Sequence, residues 1–268
     1  MKSSLLYLGL CILSLGSALP EPASNNQASA NAVKRLVFDC ADGQVGDTCL
    51  NMCYGAKCKR LGTTLTWDHP NYTNQGKRSR LAGCGSGNRC SKPPYGAGYQ
   101  CDEFPFKSVK EAEKGNQVNR CVKRHYNSRQ GGVLRQFYYS NGNFKGKGCD
   151  GKAPCKFSLS FKNFNKYGYC KKGGSCTNDG NEYTKAGPAK REEEVDASGY
   201  YRLGSGDVIY VPDGAAVGDL VYKAKFTNSN GTMIADVATP TDDDDEIDDD
   251  DEFDVEEDTI VEEVEDYE

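Results

Sequence analysis

Of the 268 residues only 37% are hydrophobic, while 30 are Gly and 13 are Cys, too little aliphatic material to offset the ordering entropy of a large conventional core. The formal charge of −6 conceals a division: residues 36–180 hold 24 Lys and Arg against 10 Asp and Glu, 181–235 hold 6 against 8, and 236–268 hold 20 acids and no base. The composition excludes a membrane-spanning protein and predicts a basic, disulfide-stapled module, a near-neutral module and a polyanionic tail.

In chain order, Lys2 precedes an apolar or small run, Leu5–Leu15, and the small residues Gly16-Ser17-Ala18. This is the pattern of a secretory signal over 1–18, its apolar run being shorter than the ~20 residues a bilayer core requires. Residues 19–35 have no periodicity and end at the dibasic pair Lys34-Arg35, which predicts a propeptide cut in a flexible segment. Lys190-Arg191 and Lys77-Arg78 offer the same chemistry, with ordinary surface cations as the competing reading. Asn71-Tyr72-Thr73 and Asn230-Gly231-Thr232 are glycosylation sequons.

Losing Cys11 with the signal leaves twelve cysteines, all between Cys40 and Cys176. Their gaps lack paired C-x-x-C spacing and only His69 and His125 are available as imidazole ligands, so six disulfides are expected and a thiolate metal site is not. Short loops closed by Cys149/Cys155 and Cys170/Cys176 are two options that spacing permits without fixing the connectivity.

The local pattern predicts strands at Leu36–Phe38, Thr63–Trp67 and Phe157–Phe161, and helices at Thr48–Tyr54, Phe106–Glu113 and Val133–Tyr139. Residues 71–99 read as a disulfide-pinned loop. Asp207–Val211, Asp219–Lys223 and Thr232–Ala235 read as a small β-meander needing the basic module for support. From Asp242 to Glu268 the charge predicts disorder, serving solubility or covering a basic face in cis.

Two segments carry chemistry. Cys101-Asp102-Glu103-Phe104-Pro105-Phe106 sets adjacent carboxylates behind a cysteine, with a solvated helix-capping turn as the competing reading. Cys121-Val122-Lys123-Arg124-His125-Tyr126-Asn127-Ser128-Arg129-Gln130-Gly131-Gly132 packs cations, an imidazole and amides into an expected turn before a helix, a setting suited to phosphate. Together they supply hard oxygen ligands, a base for water and cations for a phosphodiester. The surplus of 14 positive charges over residues 36–180 also points to a polyanionic partner.

These strings, with Phe38-Asp39-Cys40, Asn51-Met52-Cys53-Tyr54-Gly55, Cys58, Lys77-Arg78-Ser79-Arg80 and Gly98-Tyr99-Gln100, resemble the secreted deoxyribonucleases with a NucA/NucB domain over roughly residues 36–180. The resemblance implies an α+β chain whose core is a ββα-metal-like nuclease, dependent on a divalent metal such as Mg or Mn and cutting DNA with little sequence preference. It implies that Asp102 and Glu103 fall in the active site, as catalytic residues and metal ligands, and that Asn127 is an amide that helps bind the metal or orients a catalytic group; His125 joins the catalytic candidates on the chemistry of its imidazole. Lys123, Arg124, Arg129 and Gln130 are expected to bind substrate. One departure stands out. The family places an acid before the Asn, whereas this chain has Tyr126, whose neutral phenol is a poor ligand for magnesium. His125 is the candidate replacement base. The expected organisation is signal 1–18, propeptide 19–35, nuclease 36–180, linker and β-rich extension 181–240, and acidic tail 241–268. The leading expectation is a secreted endodeoxyribonuclease, and the alternative a catalytically impaired polyanion-binding protein on the same scaffold.

Overall fold

The computed structural model describes residues 33–192, 196–227, 252–265 and 267. The expected signal, the propeptide up to residue 32 and the strand Thr232–Ala235 lie outside the described residues. The basic part supplies β1 (Lys34–Asp39), α1 (Thr48–Cys53), β2 (Leu65–Trp67), α2 (Tyr72–Ala82), β3 (Tyr99–Phe104), β4 (Val118–Lys123), α3 (Arg124–Tyr139) and β5 (Cys155–Lys162). After it come β6 (Tyr183–Thr184), β7 (Gly187–Pro188), β8 (Gly199–Leu203), β9 (Val208–Val211), β10 (Leu220–Phe226) and β11 (Phe253–Val264). None of the described helices is long and apolar enough to cross a membrane.

β1 is the keystone of a closed barrel, parallel to both β5 and β10. The circuit runs from β10 to β11, β8, β9 and back to β5, with β2 paired to the first residues of β5. Period-two alternation sorts the strand residues. Val37, Tyr201, Leu203, Ile209, Val211, Val221 and Ile260 form one cluster drawn from five barrel strands, as residues on an inner face must. Leu36, Phe38, Phe157, Leu159 and Phe161 join the larger core shared with Met52, Tyr54, Phe104 and Phe137 from the helices and second sheet.

This architecture corrects the expected modular plan. The two expected meander strands that are described, β9 and β10, are barrel staves, not an appendage, β8 adds a stave that was not expected, and the tail expected to be disordered supplies β11 between β10 and β8. Composition misleads there because a few apolar residues are well placed: Phe253, Val255 and Ile260 are buried while the acids between them are mostly outward. The acids also have partners. Lys223, with its side chain only 7% exposed, lies 3.0 Å from Asp258 and from Asp207, and 3.2 Å from Glu256. The propeptide boundary meets a similar obstacle, since Lys34-Arg35 lies in β1 and Arg35 is buried beside Asp219. A folded chain offers no flexible segment there for a processing protease. Lys77-Arg78 is equally unsuited: Arg78 is buried, with two bonds to Asp68 at 2.9 and 2.6 Å and one to Glu113 at 2.7 Å.

Two local expectations change as well. The segment read as a loop contains α2, because Asn71 accepts from Asn74 N at 2.9 Å as its N-cap and Gly83 closes it at φ 92°. The helix expected at Phe106–Glu113 shrinks to a 3-10 turn, Lys110–Lys114. Six disulfides are present: Cys40–Cys49, Cys53–Cys170, Cys58–Cys176, Cys84–Cys101, Cys90–Cys121 and Cys149–Cys155. Cys170 and Cys176 do not close a small loop on each other. They anchor the distant helical stretch 53–58, and so tie residues 170–176 across the core.

Candidate active site

The second sheet, β3-β4-β6-β7, carries the residues of interest. β3 and β4 pair antiparallel without a break from Tyr99↔Lys123 to Phe104↔Val118, and the chain turns directly from β4 into α3. That order is two antiparallel strands and a helix, but the chain does not form the separate ββα-metal-like module expected of it. The three elements are embedded here beside a barrel that the expectation did not include.

α3 begins nine residues before its expected start, at Arg124, so the supposed turn is its first two turns. Gly131 and Gly132 disfavour a helix by about 1 kcal/mol each, but the buried stripe Tyr126, Gln130, Val133, Leu134 and Phe137 offsets this. Lys123 is the N-cap, makes no side-chain cap bond, and no acid lies in the first turn. Lys123, Arg124 and His125 therefore crowd the positive end of the helix dipole, an arrangement that opposes helix stability and favours an anion.

Successive helical side chains diverge by about 100°. His125 is exposed, whereas Tyr126 is buried with its ring lying on Gly46, where an added Cβ would come within 2.6 Å. The two rings remain in contact, centroids 4.0 Å apart. Asn127 points to β3, its Nδ2 donating to Gln100 Oε1 at 2.9 Å.

On β3 the two carboxylates part company. In a regular ladder Gln100 and Asp102 share one face while Cys101 and Glu103 share the other. Asp102 and Asn127 are thus brought to the same side, flanking Gln100, and Glu103 is not. Asp102 is 3% exposed, and Asn51 of α1 donates to its Oδ2 at 3.0 Å and to its backbone oxygen at 2.9 Å. Burial holds its carboxyl well above the usual range, with Glu103 and Glu182 adding to the effect and Asn51 and Arg120 opposing it. The other candidates divide as well. Lys123 is exposed and Arg124 half-buried at the surface. Arg129 instead donates to Gly43 O and stacks its guanidinium 4.8 Å from the Phe226 ring centroid, and Gln130 is buried. Arg129 thus ties α3 to Gly43 and Phe226, and Gln130 sits in the buried stripe of the helix.

Sequence reasoning missed the supporting shell. Asn51 and Gln100 lay in strings already noted, but nothing in those strings tied either to Asp102 or Asn127. Arg120, opposite Asp102 in the ladder, is held by Asp179 at 3.1 and 2.8 Å and by Glu182 at 2.7 Å. Asp179 claims Arg120 through two bonds and is held below the usual carboxylate range, while Glu182, fully buried with one bond, is pushed up by burial to about 7. Among the described residues no three His, Cys, Asp or Glu side chains form a metal-binding group.

Residues 52–150 match the family model of deoxyribonuclease NucA/NucB. Over those 99 of its 268 residues the chain is similar to that deoxyribonuclease family. No curated protein and no solved structure matches the chain significantly. The NucA/NucB match takes in β3, β4 and α3 but stops before β5 and before Asp179 and Glu182, so part of the shell around Asp102 comes from sequence beyond it.

The Glu182 environment has a measurable consequence. Between its ordinary 4.5 and about 7, folded Glu182 keeps a proton that the unfolded chain has released, so stability falls as pH rises through that window. The expected contribution is on the order of 3 kcal/mol. Glu182→Gln, which keeps an acceptor for Arg120, should flatten that part of the slope in urea melts at pH 5 and pH 7.5. A slope identical to wild type would show that Glu182 titrates normally.

Proposed function

We propose that the protein is a secreted, metal-dependent endodeoxyribonuclease that hydrolyses DNA phosphodiester bonds with little sequence preference. The observation that carries this reading is that Asn127, in the cationic first turn of α3, bonds Gln100, the neighbour of Asp102 on one face of β3, all within the NucA/NucB match. Six disulfides support the secretory route. Lys123, Arg124 and the first amides of α3 suit phosphate oxygens, which every sequence presents alike.

The donor set fits a hard cation. Asp102 and Asn127 offer oxygen ligands, Asn51 Oδ1 is a buried oxygen without a partner, and magnesium characteristically takes only one or two carboxylates plus waters and substrate phosphate. Asp102 and Asn127 would hold it, with Glu103 outside the set. When bound, such an ion stabilises phosphoryl charge and acidifies water. Asn51 fixes the Asp102 carboxyl, which sheds the proton that burial favours before it can act as a ligand, so metal affinity rises with pH. Lys123 and Arg124 hold the phosphate chain against the helix start. His125, exposed beside Tyr126, accepts a proton from the attacking water.

Tyr126 supports a second reading, nucleic-acid binding without cleavage, because its phenol is packed on Gly46 where the family has an acid. Incubating the secreted chain with supercoiled plasmid distinguishes the two. Nicking in Mg or Mn that stops with chelator is expected, retardation without nicking would establish the second reading, and neither effect would overturn both.

A further inference from the structure

The opposite end of α3 points to a covalent modification. Tyr139, the last residue of α3, meets the ring of His69 at 5.7 Å, and Trp67 stacks on Tyr138 at 5.0 Å. Two residues after His69 the chain reaches Asn71, which has extended backbone (φ −70°, ψ 165°) and opens α2. Asn71, Tyr72 and Thr73 are all exposed, and Tyr72 at 73% is the most exposed large hydrophobic side chain among the described residues.

We infer that Asn71 carries an N-linked glycan, an inference that rests on the secretory part of the functional reading. A side-chain amide has two ends, and the fold uses only one of them here. Asn71 Oδ1 faces the helix and accepts from Asn74 N at 2.9 Å, which turns Nδ2 away from the helix. The new bond joins Nδ2 to the anomeric carbon of an N-acetylglucosamine from a lipid-linked oligosaccharyl diphosphate. The carbon–oxygen bond to the diphosphate breaks, the diphosphate leaves with its electron pair, and the amide gives up one proton. The product keeps its carbonyl oxygen, so the cap on α2 survives. The first sugar's apolar face has the exposed ring of Tyr72 to cover.

Thr73, whose hydroxyl the sequon requires, lies in the first turn of α2. Transfer needs an extended sequon, so it precedes formation of α2 and closure of the Cys84–Cys101 bridge that follows it. The 16 residues of α3 set the modified end about 24 Å from the cationic end, so the glycan stands clear of the candidate active site.

The test is expression of the full chain through a glycosylating secretory pathway, in a Thr232→Ala background that removes the other sequon, followed by peptide mass spectrometry before and after N-glycosidase treatment. Wild type and Thr73→Ser should carry a glycan at Asn71. Asn71→Asp, which retains a capping oxygen, and Thr73→Ala should each lose one glycan step on a gel, with plasmid cleavage within twofold of wild type. A secreted chain with all twelve cysteines bridged and Asn71 unmodified would overturn the inference alone. A chain retained in the cell with reduced cysteines would overturn the secretory reading and this inference together.

Discussion

Truncation after Thr241 should leave a chain that fails to fold, measured as loss of a cooperative thermal transition and of soluble yield. It removes β11 and leaves β8 and β10 with bare edges. Phe253, Val255 and Ile260 are buried, and at roughly 2 kcal/mol each their loss costs about 6 kcal/mol. The cut also strips Glu256 and Asp258 from Lys223, leaving a buried cation short of partners, which typically costs several kcal/mol more. Domains of this size have only about 5–15 kcal/mol to lose. A solubility tail or an inhibitory tail predicts the contrary, a stable truncated protein whose DNA affinity alone is unchanged or improved. A melting temperature equal to that of the full chain would show that the barrel closes without β11.

Asp102→Asn should slow plasmid nicking by about 10²- to 10⁴-fold, the range for loss of a catalytic acid, base or ligand, with DNA retardation and melting temperature retained. The substituted side chain can still accept from Asn51, which holds the native carboxyl at 3.0 Å. Glu103→Gln should cost less than tenfold, because Glu103 lies on the opposite face of β3 from Asn127. The contrast is the informative part. Full activity in the Asp102 variant together with collapse in the Glu103 variant would place the chemistry on the Cys101 face instead.

How much of this was readable in the sequence depended on the range of the forces involved. The strings around Asp102 and Asn127 point to a candidate site on β3, β4 and α3 because their residues lie on consecutive elements. Even there, the opposition of Asp102 and Glu103 required knowing that residues 99–104 form a regular strand and not a turn. Gly131-Gly132 reads as a helix boundary, but tertiary burial of Tyr126 and Phe137 overrides that propensity and α3 starts earlier. α2 has little apolar periodicity to announce it, because its buried residues are only Arg78 and Ala82. Arg120, Asp179 and Glu182 converge only through pairing between β4 and the segment before β6, which no local pattern announces. The charge blocks, so plain in the sequence, misled most: they divide the composition, yet the barrel interleaves them.

That interleaving governs how the chain can be made. During vectorial synthesis Leu36 and Phe38 emerge early, yet their strand needs β5 and β10 on its two sides, and β11 is among the last segments to arrive. Four bridges span short separations of 6 to 31 residues and can close while the chain is growing. Cys53 and Cys58, in contrast, wait for partners 117 and 118 residues away. No nascent intermediate that lacks β11 has a closed barrel, so apolar strand edges stay open until that strand has been made. The C-terminal acids then have a role before the fold exists: the segment that completes the barrel reaches it as a soluble polyanion, resistant to aggregation until β8 and β10 are ready to receive it.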